Sequence, residues 1–365
     1  MPTLESELIL APEKTRIRVA VEPAVNALGS LSLLNRVDQL SGLDPWVVKT
    51  AESLDRDLLH TNQVVMQGLF YAWTPDRSWP SFSAFVDHLE ATDAIELQER
   101  ILDTYLQLPC KHEVEVEVDP ISRGELLSNF ETFLTYLFSK FGKELVDETI
   151  EKAAYHLLLE PEEMRSYIVS HFREMWTDVL KAEWERVFPL IEESTLAFRK
   201  VDFSGMTDQE AVRFITGHTD DKLDWLIEKS NRLIFIPNTH SGPYSFPFTS
   251  EDTAWIFFSA RLPEGLPRST SVLNRYELLV RLTALADETR LSILAIIAER
   301  EQICSQDLID ILQMSQSSVS RHLRQLSASG FLRERRTEAG KCYTLNPERL
   351  KDTTHALERL FNERS

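Results

Sequence analysis

Ile17, Val19 and Val21 alternate with polar or small residues across Thr15–Val21, a period of two that predicts a half-buried strand ended by Pro23. From Ala24 to about Leu108 the spacing lengthens to the helical 3.6, as in Leu28, Leu31 and Leu34 and again in Val64, Val65, Leu69 and Tyr71. The prolines of Trp73–Pro80 mark a loop. Strict alternation returns in Lys111–Asp119, which reads as an edge strand or an acidic linker. Residues Ile121–Lys200 are helical again, with Leu126, Phe130, Phe133, Leu134 and Leu137 on one face and a longer Glu162–Phe188 helix that Pro189 should stop or kink. Two shorter helices follow, Thr207–Gly217 and Lys222–Lys229, the first opened by a capping box from Thr207 to Glu210. Arg232–Ile236 and Ala254–Ala260, rich in Ile, Phe and Trp, predict two strands joined by the long loop Pro237–Ser250. Leu262–Thr270, with Pro263, Gly265 and Pro267, is the best linker in the chain.

Beyond that linker the helical period is shorter-ranged and better punctuated. Leu278, Leu282 and Leu285 define the inner face of Asn274–Ala286, and Asp287 can cap a helix in which Leu291, Leu294 and Ile297 continue the same core. Ser305–Leu312 and a helix capped by Ser315 and running to about Ser327 are separated only by Gln313 and Met314. That spacing predicts a helix-turn-helix whose second helix enters a major groove. Val319, Leu323 and Leu326 fall at i, i+4 and i+7 and face inward, leaving Gln316, Ser317, Ser318, Ser320, Arg321, His322 and Arg324 as candidate DNA contacts. Taken alone, a charged helix face is an ordinary solvated surface. Here Gly330 closes the helix, and Phe331–Thr337 and Lys341–Leu345 form a hairpin about Ala339-Gly340, carrying Arg333, Arg335, Arg336 and Lys341 toward a phosphate backbone.

Composition changes the picture in one respect. The net charge of −19 speaks against a polyanionic partner, but residues 275–365 hold fourteen basic against thirteen acidic side chains, whereas everything before them has a surplus of twenty acidic ones. Such asymmetry suggests divided labour. At 365 residues, two or three domains are expected, with a mostly α fold, small β elements and a globular balance of 43% apolar to 27% charged residues. No apolar run reaches membrane-spanning length, the N-terminus lacks signal-peptide order, and a cytoplasmic protein is expected. Three distant cysteines, Cys110, Cys304 and Cys342, read as free thiols.

Leu285-Ala-Asp-Glu-Thr-Arg-Leu-Ser-Ile-Leu294 resembles the opening signature of ArsR/SmtB-family repressors, and Ser315-Gln-Ser-Ser-Val-Ser-Arg-His-Leu323 resembles their recognition helix. The resemblance covers about Tyr276–Leu360. It implies a winged helix-turn-helix and a homodimer that reads an inverted repeat in double-stranded DNA, with the first and last helices at the dimer interface. Leu350, Thr354, Leu357 and Phe361 give the last helix a face for this. Family sensors often hold a thiophilic metal through a Cys-x-Cys pair, of which only Cys304 is present here. Others use the last helix, where His355 and Glu358 have i, i+3 spacing, but the upstream positions, Cys342 and Thr344, do not match. No metal and no cofactor is therefore expected.

The domains so drawn are a large helical α+β region over 1–262, a linker over 263–273 and the winged helix over 274–365. The first resembles, more weakly, the helical region of unassigned function in some large regulators, chiefly through Ile234-Phe-Ile-Pro-Asn-Thr-His-Ser-Gly-Pro-Tyr244. His240, Tyr244 and Trp255 are candidates for a small-molecule effector pocket, the alternative being that they tie the loop to the core. No nucleophile elbow, zinc-protease helix, dinucleotide or phosphate-binding loop occurs, so an enzyme is not expected. A regulator, a repressor by resemblance, is the leading reading; a protein-interaction module docked to DNA by the winged helix is the other.

Overall fold

The structure, a computed structural model, describes residues 16–108, 121–217, 221–250, 252–263, 272–337 and 340–362. Lys111–Asp119, Cys110 and most of the expected linker lie outside them. Among the described residues the fold is mostly helical with two small sheets. Two compact units emerge, one made of Met1–Val21, Leu190–Asn238 and Pro243–Ser365, the other of Glu22–Pro189 and Thr239–Gly242. The sheet and the winged helix thus fall in one unit.

The helical unit opens with α1 (Pro23–Leu34) and α2 (Pro45–Ser53), each started by a proline in the first turn, where its missing N–H costs nothing. Asp44, Asp55, Ser81, Asp93, Asn129 and Asp147 cap successive helices by accepting backbone N–H groups. Its core is aromatic, with Phe82, Phe85, Phe133 and Phe172 fully buried and Trp73 set edge-on to Phe172. Pro189 does not stop its helix: α3 runs from Lys181 to Phe198 with the proline inside. The buried Val187, Ile191 and Phe198 on both sides of it hold the helix together.

In the other unit, β1 (Ile17–Val19), β2 (Arg232–Asn238), β3 (Phe246–Ser250) and β4 (Thr253–Ser259) form a sheet of order β1-β2-β4-β3. The first three in that order are parallel, and β3 is antiparallel to β4. Burial on nearly every position of β2 and β4 matches their unbroken apolar runs. Phe198 and the helices Asp208–Thr216 and Asp221–Lys229 supply the apolar side chains that cover the sheet, and the capping box from Thr207 to Glu210 forms as expected. The loop expected over Pro237–Ser250 contains β3, which Pro247 disguised; the strand lies at the sheet edge, where a missing N–H is tolerated.

The C-terminal part consists of α4 (Val272–Leu285), α5 (Glu288–Arg300), β5 (Gln302–Cys304), α6 (Ser305–Leu312), α7 (Gln316–Ala328), β6 (Leu332–Thr337), β7 (Gly340–Leu345) and α8 (Pro347–Asn362). Ala284, Ile293, Leu294, Ile297, Leu308, Val319, Leu323, Leu326, Phe331 and Tyr343 make one core. Leu291, expected in it, is instead 51% exposed. Gln313 takes a left-handed φ of 51° in the turn between α6 and α7, and Gly330, at φ 80°, ends α7.

Candidate nucleic-acid interface

Two caps set the joint between α4 and α5. The carboxylate of Asp287 accepts the backbone N–H of Arg290 at 2.8 Å and so starts α5. The buried Arg290 side chain turns back, donating from Nε to the carbonyl of Ala284 at 2.6 Å and from Nη2 to that of Thr283 at 2.8 Å. These carbonyls belong to the last turn of α4 and have no helical partner. The Asp and Arg of the 285–294 signature are thus the two sides of one helix joint.

Ser315 caps α7 by accepting Ser318 N–H at 3.3 Å. Val319, Leu323 and Leu326 are buried beneath it. Gln316, Ser317, Ser320, Arg321 and Arg324 are exposed on the opposite face, and Ser318 is half-buried. His322 departs from the expectation. It is 8% exposed, beside Leu323 on the core side of the helix, with Nδ1 3.8 Å from an Asp287 oxygen. Burial is the main cause that lowers its pKa; Asp287 pulls the other way, and Arg290 and Arg321 add to the lowering. The ring thus packs inward, away from the exposed face of α7.

In the wing, β6 and β7 pair from Leu332↔Leu345 to Thr337↔Gly340, and β5 pairs with the other edge of β7. Arg333 is exposed but shared with Asn346 and Glu348, each at 3.2 Å. Lys341 pairs with Glu334. Arg335 is exposed and has no ion pair among the described residues. The side chain of Arg336 lies outside the described residues.

The cysteines require a correction. Cys304 and Cys342, 38 residues apart, are joined as a disulfide rather than left as free thiols. Sequence distance concealed this, because β5 was not anticipated and it is the β5–β7 ladder that sets Cys304 directly opposite Cys342.

His240 lies in the segment Thr239–Gly242 of the helical unit and is buried with polar partners on both ring nitrogens. Nε2 is 2.7 Å from a Glu183 oxygen and Nδ1 is 2.7 Å from Ser30 Oγ, while Trp46 stacks on the ring with centroids 4.6 Å apart. Burial would raise the pKa of Glu183, but hydrogen bonds from His240 and Arg186 prevail and lower it. Tyr244 and Trp255 belong to the other unit, the former buried beside Phe246 and the latter stacked on Phe248 in the sheet. Glu183, Ser30 and Trp46 escaped sequence reasoning because no local pattern links them to a histidine so far along the chain. His355 and Glu358 are exposed on α8, and among the described residues no group of three His, Cys, Asp or Glu side chains is placed to hold a metal ion.

A family model for bacterial regulatory proteins of the arsR family matches residues 287–334. The chain is similar to the arsenic resistance transcriptional regulator ArsR1 of Pseudomonas putida, 41% identical over 64 residues, which is 18% of this chain and 50% of that protein. It is similar to the arsenical resistance operon repressor of Escherichia coli, 43% identical over 63 residues, 17% of this chain and 54% of the repressor. An uncharacterized HTH-type transcriptional regulator of Methanocaldococcus jannaschii is 31% identical over 77 residues, 21% of this chain and 86% of that protein. The chain thus spans about half the length of the two arsenic-related regulators. No helix among the described residues is long and apolar enough to cross a membrane.

Proposed function

Because the chain belongs, through its C-terminal region, to the arsR family of bacterial regulatory proteins, we propose that it is a sequence-specific repressor that binds an inverted repeat in double-stranded DNA as a homodimer. The observation carrying this reading is the division of α7, with Val319, Leu323 and Leu326 in the core and Gln316, Ser317, Ser320, Arg321 and Arg324 exposed together. Arg321 and Arg324 are suited to guanine edges or phosphates, and the small polar groups permit close approach to bases. Arg335 extends the contact along the backbone, with Arg333 and Lys341 exchanging acidic partners for phosphate. Dimerisation through α4 and α8 would cover Leu279, Leu360 and Phe361, which are 53%, 42% and 69% exposed. It also doubles a modest basic surface on an acidic chain.

Residues 274–365 serve in this reading as the output domain and 1–262 as the input, in the cytoplasm and without enzymatic chemistry. The buried Ser30–His240–Glu183 chain of the helical unit marks where an effector would act. The arsenic response in the relatives' names is not carried over, because of the Cys-x-Cys pair only Cys304 is present and it is joined to Cys342. Genomic DNA enrichment followed by footprinting tests the proposal. A protected inverted repeat supports it; protection without sequence preference, or unaltered by Arg321→Ala and Arg324→Ala, rejects it.

A further inference from the structure

The three-stranded sheet of the wing, in the order β5-β7-β6, sets Cys304 opposite Cys342 and Cys342 opposite Arg335. Directly paired residues of antiparallel strands share a face. The disulfide and the one wing arginine without an ion pair among the described residues therefore stand in a single row. Cys304 is also the residue from which α6, the first helix of the helix-turn-helix, begins. Ile303 and Tyr343, on the opposite face, are buried in the core, which fixes the register and keeps the two sulfurs adjacent whether or not they are bonded.

We propose that Cys304 and Cys342 form a thiol-disulfide switch, oxidised by hydroperoxides, that controls DNA affinity through Arg335; the inference rests on the DNA-binding reading above. Cys304, the more accessible of the two, attacks the peroxide as its thiolate. One sulfur–oxygen bond forms, the oxygen–oxygen bond breaks, and the departing alkoxide or hydroxide takes a proton. The Cys342 thiolate then displaces the oxygen of the sulfenic acid as water, giving the disulfide. In sum, two thiols and one hydroperoxide yield one disulfide, one alcohol or water, and one water. A cellular dithiol reverses the step by exchange. In the oxidised form Arg335 has no ion pair among the described residues and is available to phosphate. Reduction places the Cys342 thiolate next to the guanidinium, which stabilises the thiolate and withdraws the cation from DNA. Oxidised protein should therefore bind more tightly.

The test uses the full chain carrying Cys110→Ser, reduced with dithiothreitol or treated with hydrogen peroxide, and a duplex bearing the most enriched genomic site. Alkylation and peptide mass mapping should show the Cys304–Cys342 peptide after peroxide alone, and anisotropy should show at least fivefold tighter binding in that state. Cys342→Ala should stay tight under reduction, whereas Arg335→Ala should bind weakly in both states; circular dichroism confirms that both fold. Absence of the linked peptide, equal affinity in both states, or tighter binding when reduced overturns the switch. Equal, sequence-specific binding in both states leaves the DNA-binding reading standing, whereas binding in neither removes both.

Discussion

Arg290 donates from Nε to the carbonyl oxygen of Ala284 at 2.6 Å, so a side chain of α5 closes the end of α4. The guanidinium is 6% exposed and held by two carbonyls and by Asp287. Replacing it with alanine strands the carbonyls of Thr283 and Ala284 without partners. Arg290→Ala should destabilise the winged helix by about 2–4 kcal/mol and Arg290→Lys by somewhat less, measured by urea denaturation. A loss under 0.5 kcal/mol, roughly that of a surface substitution, would show that the joint is held by other contacts.

Arg321 is exposed on the face of α7 opposite its buried leucines. Arg321→Ala should weaken operator binding by about tenfold to a hundredfold while leaving the melting temperature within a degree or so. His322→Ala should do the reverse, lowering stability first, because its side chain packs inward beside Asp287. Paired melting and anisotropy curves separate the two outcomes.

Glu183 is a buried carboxylate hydrogen-bonded to His240 and Arg186, and removing its charge leaves those partners stranded. Glu183→Gln should lower the stability of the helical unit by about 3 kcal/mol at neutral pH. Since the folded pKa of Glu183 is lowered, its stabilisation is present above the unfolded carboxylate value and lost as pH falls through the folded one. Melting curves from pH 7 downward should therefore converge for the wild type and Glu183→Gln. Parallel curves would contradict the assignment.

Glu151 has the opposite sign. Burial, with help from Asp147, raises its pKa to about 7, so the folded state holds its proton more tightly than the unfolded chain. Stability should decline as pH rises from the ordinary carboxylate range through about 7. Glu151→Gln should abolish this slope and melt at higher temperature than the wild type at pH 8. An unchanged pH profile would place the slope elsewhere.

What the sequence revealed of this molecule follows the range of the interactions. The helix-turn-helix was legible because its signals are local: Ser315 and Asp287 as caps, Gly330 as a stop, and the 3.6-residue spacing of Val319, Leu323 and Leu326. His322 misled because a polar residue was read by type rather than by its place one residue before a buried leucine. The short strands β3 and β5 were missed, since five residues containing a proline and three residues ending in a cysteine carry almost no period. With β5 went the pairing of Cys304 to Cys342. The partners of His240 could not be found from sequence, because Ser30, Trp46 and Glu183 meet it only through tertiary packing.

The parallel pairing of β1 with β2 joins ends of chain that are far apart, as the contact of Arg16 with Ser230, separated by 214 residues, illustrates. During synthesis β1 leaves the ribosome first and then waits, unpaired, while the intervening helices are made. The helical unit can begin to collapse at once, yet the four residues Thr239–Gly242 that complete it arrive only after β2. Translation order and assembly order therefore differ. Loop-closure entropy falls on the last stage, so pauses or truncations before residue 243 should release chains that are helical but lack a finished sheet.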